Sequence, residues 1–164
     1  MDKEIKEWSF AFFDLGSKES ARRVRLHRNL RRVGAALHSQ SVYCMPYSQG
    51  SFRSLKGLDK NMFVIKADIG RDSIDELVQA YEVFTNSLLK EVCQKLEALE
   101  DAKASAVDLQ TRRGYTKRLN KMHERLDHLE YVARLGHNSE VIDKVETFKR
   151  QVVKIDDGEP GKLI

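Results

Sequence analysis

Cysteine is nearly absent from this chain: Cys44 and Cys93 are the only two in 164 residues. They form no CxxC pair and no closely spaced framework, which excludes a disulfide-stapled scaffold and reads as two buried thiols in a reducing compartment. No window is apolar for the roughly 20 residues that a bilayer span requires. The opening MDKEIKE is charged where a secretory leader would be apolar. The expectation is therefore a cytoplasmic protein without a membrane partner. The five histidines, His27, His38, His123, His128 and His137, include no i, i+4 pair, so no helical face offers two imidazole ligands. There is no Walker loop, no GxGxxG after a strand, no GxSxG elbow and no helix-turn-helix with an obvious recognition helix. Most familiar enzyme classes lose their support, and no cofactor or metal is expected.

What is present is a charge asymmetry hidden under a net charge of +4. Residues 1–70 carry 13 Lys/Arg against 7 Asp/Glu, whereas residues 71–164 carry 16 against 18. The positive field is local to the first half, and an anionic partner should dock there. Its source is the run from Trp8 to Pro46. Trp8–Phe13 is aromatic and apolar and reads as a buried strand, Asp14 ends it, and Ser17 stands where a helix cap belongs. Six arginines follow between Arg22 and Arg32.

At 100° per residue Leu26, Leu30 and Val33 share one side of that helix. Arg25, Arg28 and Arg32 lie nearly opposite, with Arg22 and Arg31 on the flanks. Arg23 and His27 fall near the apolar side, so Arg23 must snorkel or find an acid, and Asp14 is the nearest in sequence. The structural alternative for the stripe is a solvated face on an ordinary βαβ helix.

Gly34 ends the helix, and AALHSQSVYCMP suits two short strands joined by a tight bend. Tyr47–Asp59 is weakly patterned and accommodates a short helix or a loop, and Met62–Ile69 reads as another strand. The order β, α, β, β, short helix, β is that of the ferredoxin-like split βαβ arrangement.

From Ser73 the apolar period changes from two to about three and a half. Ile74, Leu77, Tyr81, Phe84, Leu88, Val92, Leu96 and Leu99 predict a helix to about Asp101, capped by Asp72 or Ser73 with Glu76. Tyr115, Leu119, Met122, Leu126, Leu129 and Ala133 mark a second helix, stopped at Gly136–Asn138. A third opens at Ser139 with Val141, Val145, Phe148 and Val152. The first two close as an antiparallel hairpin whose stripes pack on each other, on the sheet or on another chain. Arg112, Arg113, Lys117 and Arg118 form a second basic cluster at the start of the middle helix, read as a solvated end or as an extension of a DNA-binding surface.

The segment SARRVRLHRNLRRVGAALHSQSVYCMP resembles the N-terminal domain of ChrB-type chromate-resistance regulatory proteins. The residues that carry the likeness are Ala21, Arg22, Arg23, Val24, Gly34, Ser41, Val42, Tyr43 and Pro46. The first half is also similar to the small ferredoxin-like CRISPR adaptation proteins, with Asp14 of FFDLG where those proteins keep an aspartate, and to the C-terminal part of PaaX-type repressors. The resemblance implies a bacterial or archaeal regulatory or DNA-associated protein, ChrB-type proteins being chromate-sensitive regulators.

The expected architecture is α+β: a ferredoxin-like βαββαβ domain over 1–70, a helical region over 71–155 and a flexible tail over 156–164. The leading function is non-enzymatic DNA binding or transcription regulation, with Arg22, Arg25, Arg28, Arg31 and Arg32 contacting phosphates. Two alternatives stand beside it. One is a dimeric nuclease in which Asp14 and its twin hold Mg²⁺ or Mn²⁺; within a monomer the same residue reads as a loop acid capping the helix or neutralising Arg23. The other is a protein-interaction module acting through the long helices, sensitive to a charge at Leu88 or Leu126. A homodimer is compatible with either.

Overall fold

A computed structural model describes residues 5–158. The fold is α+β: a four-stranded antiparallel sheet with helices, followed by three long helices. In chain order the elements are β1 (Glu7–Phe12), α1 (Ser20–Arg32), β2 (Ala36–Ser39), β3 (Val42–Pro46), α2 (Gln49–Lys56), β4 (Phe63–Asp68), α3 (Arg71–Ala104), α4 (Leu109–Leu135) and α5 (Ser139–Asp157). The weakly patterned segment after β3 resolves to the short helix α2. Ser48 caps it by accepting from the Ser51 backbone N–H at 3.1 Å, while the Ser51 hydroxyl accepts from the Ser48 N–H. α3 begins two residues earlier and ends three residues later than the apolar pattern indicated. α5 continues through Asp157, so residues 156 and 157 of the expected tail are helical, and residues 159–164 lie outside the described residues.

The sheet runs β2-β3-β1-β4 with every neighbour antiparallel. The register pairs Phe10 with Cys44 on one side and Ile65 on the other, so side chains alternate between two faces along β1. One face carries Ser9, Ala11, Tyr43 and Met45, all buried. Phe13 stacks on Tyr43, and the Tyr43 hydroxyl meets His27 Nδ1 of α1 at 2.5 Å. The other face carries Trp8, Phe10, Phe12, Cys44, Phe63 and Ile65. Trp8 is buried, with Tyr81 of α3 edge-on at 6.0 Å between ring centroids. Farther along that face Phe10 and Phe12 are half-buried and Phe63 is 71% exposed.

Contacts divide the chain into two compact units, Met1–Thr85 with Arg134–Asn138, and Asn86–Ala133 with Ser139–Ile164. The first contains the sheet, α1, α2 and the opening turns of α3. Ile74, Leu77 and Tyr81 are buried there, and the Tyr81 hydroxyl donates to the Gly34 carbonyl at 3.0 Å. The second contains the rest of the long helices. Val92, Leu96, Leu99, Met122, Leu126, Leu129, Val132, Val145 and Val152 are buried in it, so the apolar stripes are covered within the chain itself. Among the described residues no helix is long and apolar enough to cross a membrane.

The two cysteines differ. Cys44, in the middle of β3, is fully buried and burial pushes its thiol up to about 12, whereas Cys93 on α3 is only partly covered. The expectation of two buried thiols holds for Cys44 alone.

Candidate nucleic-acid interface

The basic helix is placed by devices at both ends. After β1, a 3-10 turn at Ser17–Glu19 leads into α1, and the Glu19 carboxylate accepts from the Gly16 backbone N–H at 3.0 Å. This bond braces the 3-10 turn that leads into the helix; the first turn of α1 itself has no side-chain cap, from Ser17, Asp14 or Glu19. At the C-terminus Gly34 takes a left-handed φ of 91°. The Gly34 N–H donates to the Arg31 carbonyl at 3.1 Å and the Ala35 N–H to the Leu30 carbonyl at 3.0 Å, the two bonds of a Schellman cap. Between these ends Leu26 and Leu30 are buried and turn the opposite side of the helix to water. Arg31 and Arg32 stand in the last turn, where a cation complements the helix dipole.

The six arginines then separate into two groups. Arg22 sits between two acids: its Nη2 donates to both carboxylate oxygens of Asp59 at 3.0 Å, and its Nη1 donates to Glu19 at 3.0 Å. This fork ties the start of α1 to the loop after α2. It raises the Arg22 pKa, chiefly through the Asp59 hydrogen bond and then that of Glu19. Asp59 is lowered in turn, first by the Asn61 backbone N–H and then by Arg22. Arg23 donates to the Leu15 carbonyl at 2.6 Å, so a backbone oxygen, not Asp14, answers its need for a partner. Arg31 lies over the Phe84 ring at 5.4 Å.

Arg25, Arg28 and Arg32 form the second group. All three are exposed, and none has a carboxylate within ion-pair distance among the described residues. Their spacing of three and four residues sets them in one row about 10 Å long on the helix axis. Three exposed guanidinium groups in one row on a helix with a Schellman C-cap form a surface suited to phosphate oxygens, each group offering a fork of N–H donors.

Asp14 follows β1 and is exposed. Among the described residues no group of three or more His, Cys, Asp or Glu side chains is assembled that could hold a metal ion, so Asp14 stands without companion ligands in a single chain. On α4, Arg112, Arg113 and Lys117 line one open face with Leu109, Thr116, Asn120, Lys121 and Glu124.

Two features escaped the sequence pattern. The Asp59 partnership with Arg22 spans 37 residues and has no local signal. Lys95 of α3 meets Arg118, Lys121 and Arg125 of α4 around one cleft. The i, i+3, i+7 spacing of the latter three was readable, but their partner on the other helix was not. Neither a family model, nor a curated protein, nor a solved structure matches this chain.

Proposed function

We propose that this protein is a non-enzymatic nucleic-acid-binding or transcription-regulatory protein whose first half is a ferredoxin-like domain of the ChrB N-terminal kind. The fold assignment is supported by the element order and by the spatial order β2-β3-β1-β4 with antiparallel neighbours throughout. The observation that carries the function is the row Arg25, Arg28 and Arg32, exposed and with no carboxylate within ion-pair distance among the described residues. Arg31 flanks the row, and Arg22 serves mainly to fix the helix through Asp59. Such a row contacts backbone phosphates and gives affinity that depends on salt more than on base sequence.

The test is a gel-shift titration of a labelled duplex with the wild-type protein and with the Arg25→Glu, Arg28→Glu, Arg32→Glu variant, in chelator. Charge reversal should abolish the shift at moderate salt. Equal affinity in the two proteins would refute the reading.

A further inference from the structure

The helical unit contains a second concentration of positive charge whose geometry differs from that of the α1 row. A cleft of about 210 Å³ between α3 and α4 is lined by Lys95, Ala98, Arg118, Lys121, Met122 and Arg125. Four of these six side chains are cationic, and no acid lines the cleft. Residues 71–164 hold more acids than bases, so the cleft runs against the balance of its own region.

Several acids of the same unit are engaged elsewhere. Asp127 and Glu130 pair with Lys149, Glu100 accepts from Gln151, Glu140 pairs with Lys144, and Asp156 accepts from Tyr115. No ion pair involves Lys95, Arg118, Lys121 or Arg125 among the described residues. Met122 is buried at the base of the cleft, and Ala98 lies exposed at its edge. A concave surface lined by four cations and no acid raises the local concentration of an anion.

We propose that this cleft binds a small anion carrying several linked phosphoryl groups. Its volume lies below the roughly 300–1,000 Å³ of pockets that enclose drug-sized ligands. The phosphoryl chain is therefore held in the cleft and any attached organic group stays outside. Arg118 and Arg125 supply planar forks for phosphate oxygens, and Lys95 and Lys121 supply point charges from the two helices. Sulfate, with two charges on one centre, sets less charge against the four cations than a linked phosphoryl chain does.

Isothermal titration of the full chain with inorganic tripolyphosphate at near-physiological salt tests the proposal. One saturable site is expected, with sulfate at the same concentration competing poorly. Arg118→Gln with Arg125→Gln should weaken tripolyphosphate binding by at least about tenfold, and Lys95→Gln should weaken it from the facing helix. The Arg25→Gln, Arg28→Gln, Arg32→Gln variant should bind tripolyphosphate as the wild type does, which separates this site from the α1 row. Absence of a saturable site, or an affinity unchanged in both cleft variants, would overturn the proposal. It would also fall if the cleft variants lost duplex affinity while tripolyphosphate binding stayed intact, because the cleft would then belong to the nucleic-acid surface.

Discussion

Neutralising the α1 row is the sharpest quantitative test of the proposed contact with nucleic acid. Replacing Arg25, Arg28 and Arg32 together by Gln removes three charges without reversing any. Gln has nearly the helix propensity of Arg, and the three side chains are exposed, so α1 should keep its structure. Each phosphate neutralised on a duplex contributes about −0.9 to the slope of log affinity against log salt, so three contacts account for about −2.7 of that slope. Over a fourfold rise in salt, from about 50 to about 200 mM, this part alone corresponds to a loss of about 40-fold in affinity. The wild-type protein should therefore lose about 40-fold more affinity than the variant over that range. Fluorescence anisotropy of a labelled duplex at several salt concentrations, in chelator, measures both slopes. Circular dichroism establishes that the variant is folded. Superimposable slopes from two folded proteins would refute the argument and return the arginines to the role of a solvated face.

Core packing, acid titration and thiol chemistry supply three further tests. Leu126 is fully buried in the helical unit, so Leu126→Ala should lower stability by about 2–5 kcal/mol in urea unfolding. A loss under about 1 kcal/mol would mean that α4 does not pack on its neighbours as described. The Asp59 carboxyl is held below its ordinary value of 3.8, so its contribution to stability is present above that value and is lost as pH falls through the lower folded value. The stability gap between wild type and Asp59→Asn should accordingly shrink on acidification below about pH 4; a gap independent of pH would show that the Asn61 and Arg22 bonds do not stabilise the ionised form. Burial pushes the Cys44 thiol up to about 12 while Cys93 is only partly covered, so a thiol reagent at mildly alkaline pH should modify Cys93 first and reach Cys44 only on unfolding. Equal rates at the two cysteines in the folded protein would contradict the burial of β3.

Local chemistry made much of the architecture legible. The aromatic alternation of β1, the Gly34 stop and the three-and-four spacing after Ser73 each point to an element that the structure contains, because period and capping are properties of neighbouring residues. The short helix α2 was ambiguous, since its Ser48 and Ser51 cap sits in a segment with little apolar periodicity. The arginine stripe was visible as a stripe, but its division into fixing and free members was not. Arg22, on the flank of the stripe, reads as another phosphate-contacting member until Asp59 arrives from the loop after α2.

Residue type and spacing along one element suffice to place the strands and the long helices, to say which side of each is apolar, and to concentrate positive charge on α1. Which cations remain available is settled by contacts between elements. Arg22 is drawn to Asp59, Arg23 to the Leu15 carbonyl and Arg31 to the Phe84 ring, while Arg25, Arg28 and Arg32 keep their exposure. The same holds for the cleft, where Lys95 meets Arg118, Lys121 and Arg125 across two helices. Charge availability depends on partners brought together by chain folding over tens of residues, and hydrophobic periodicity carries no information about such pairings.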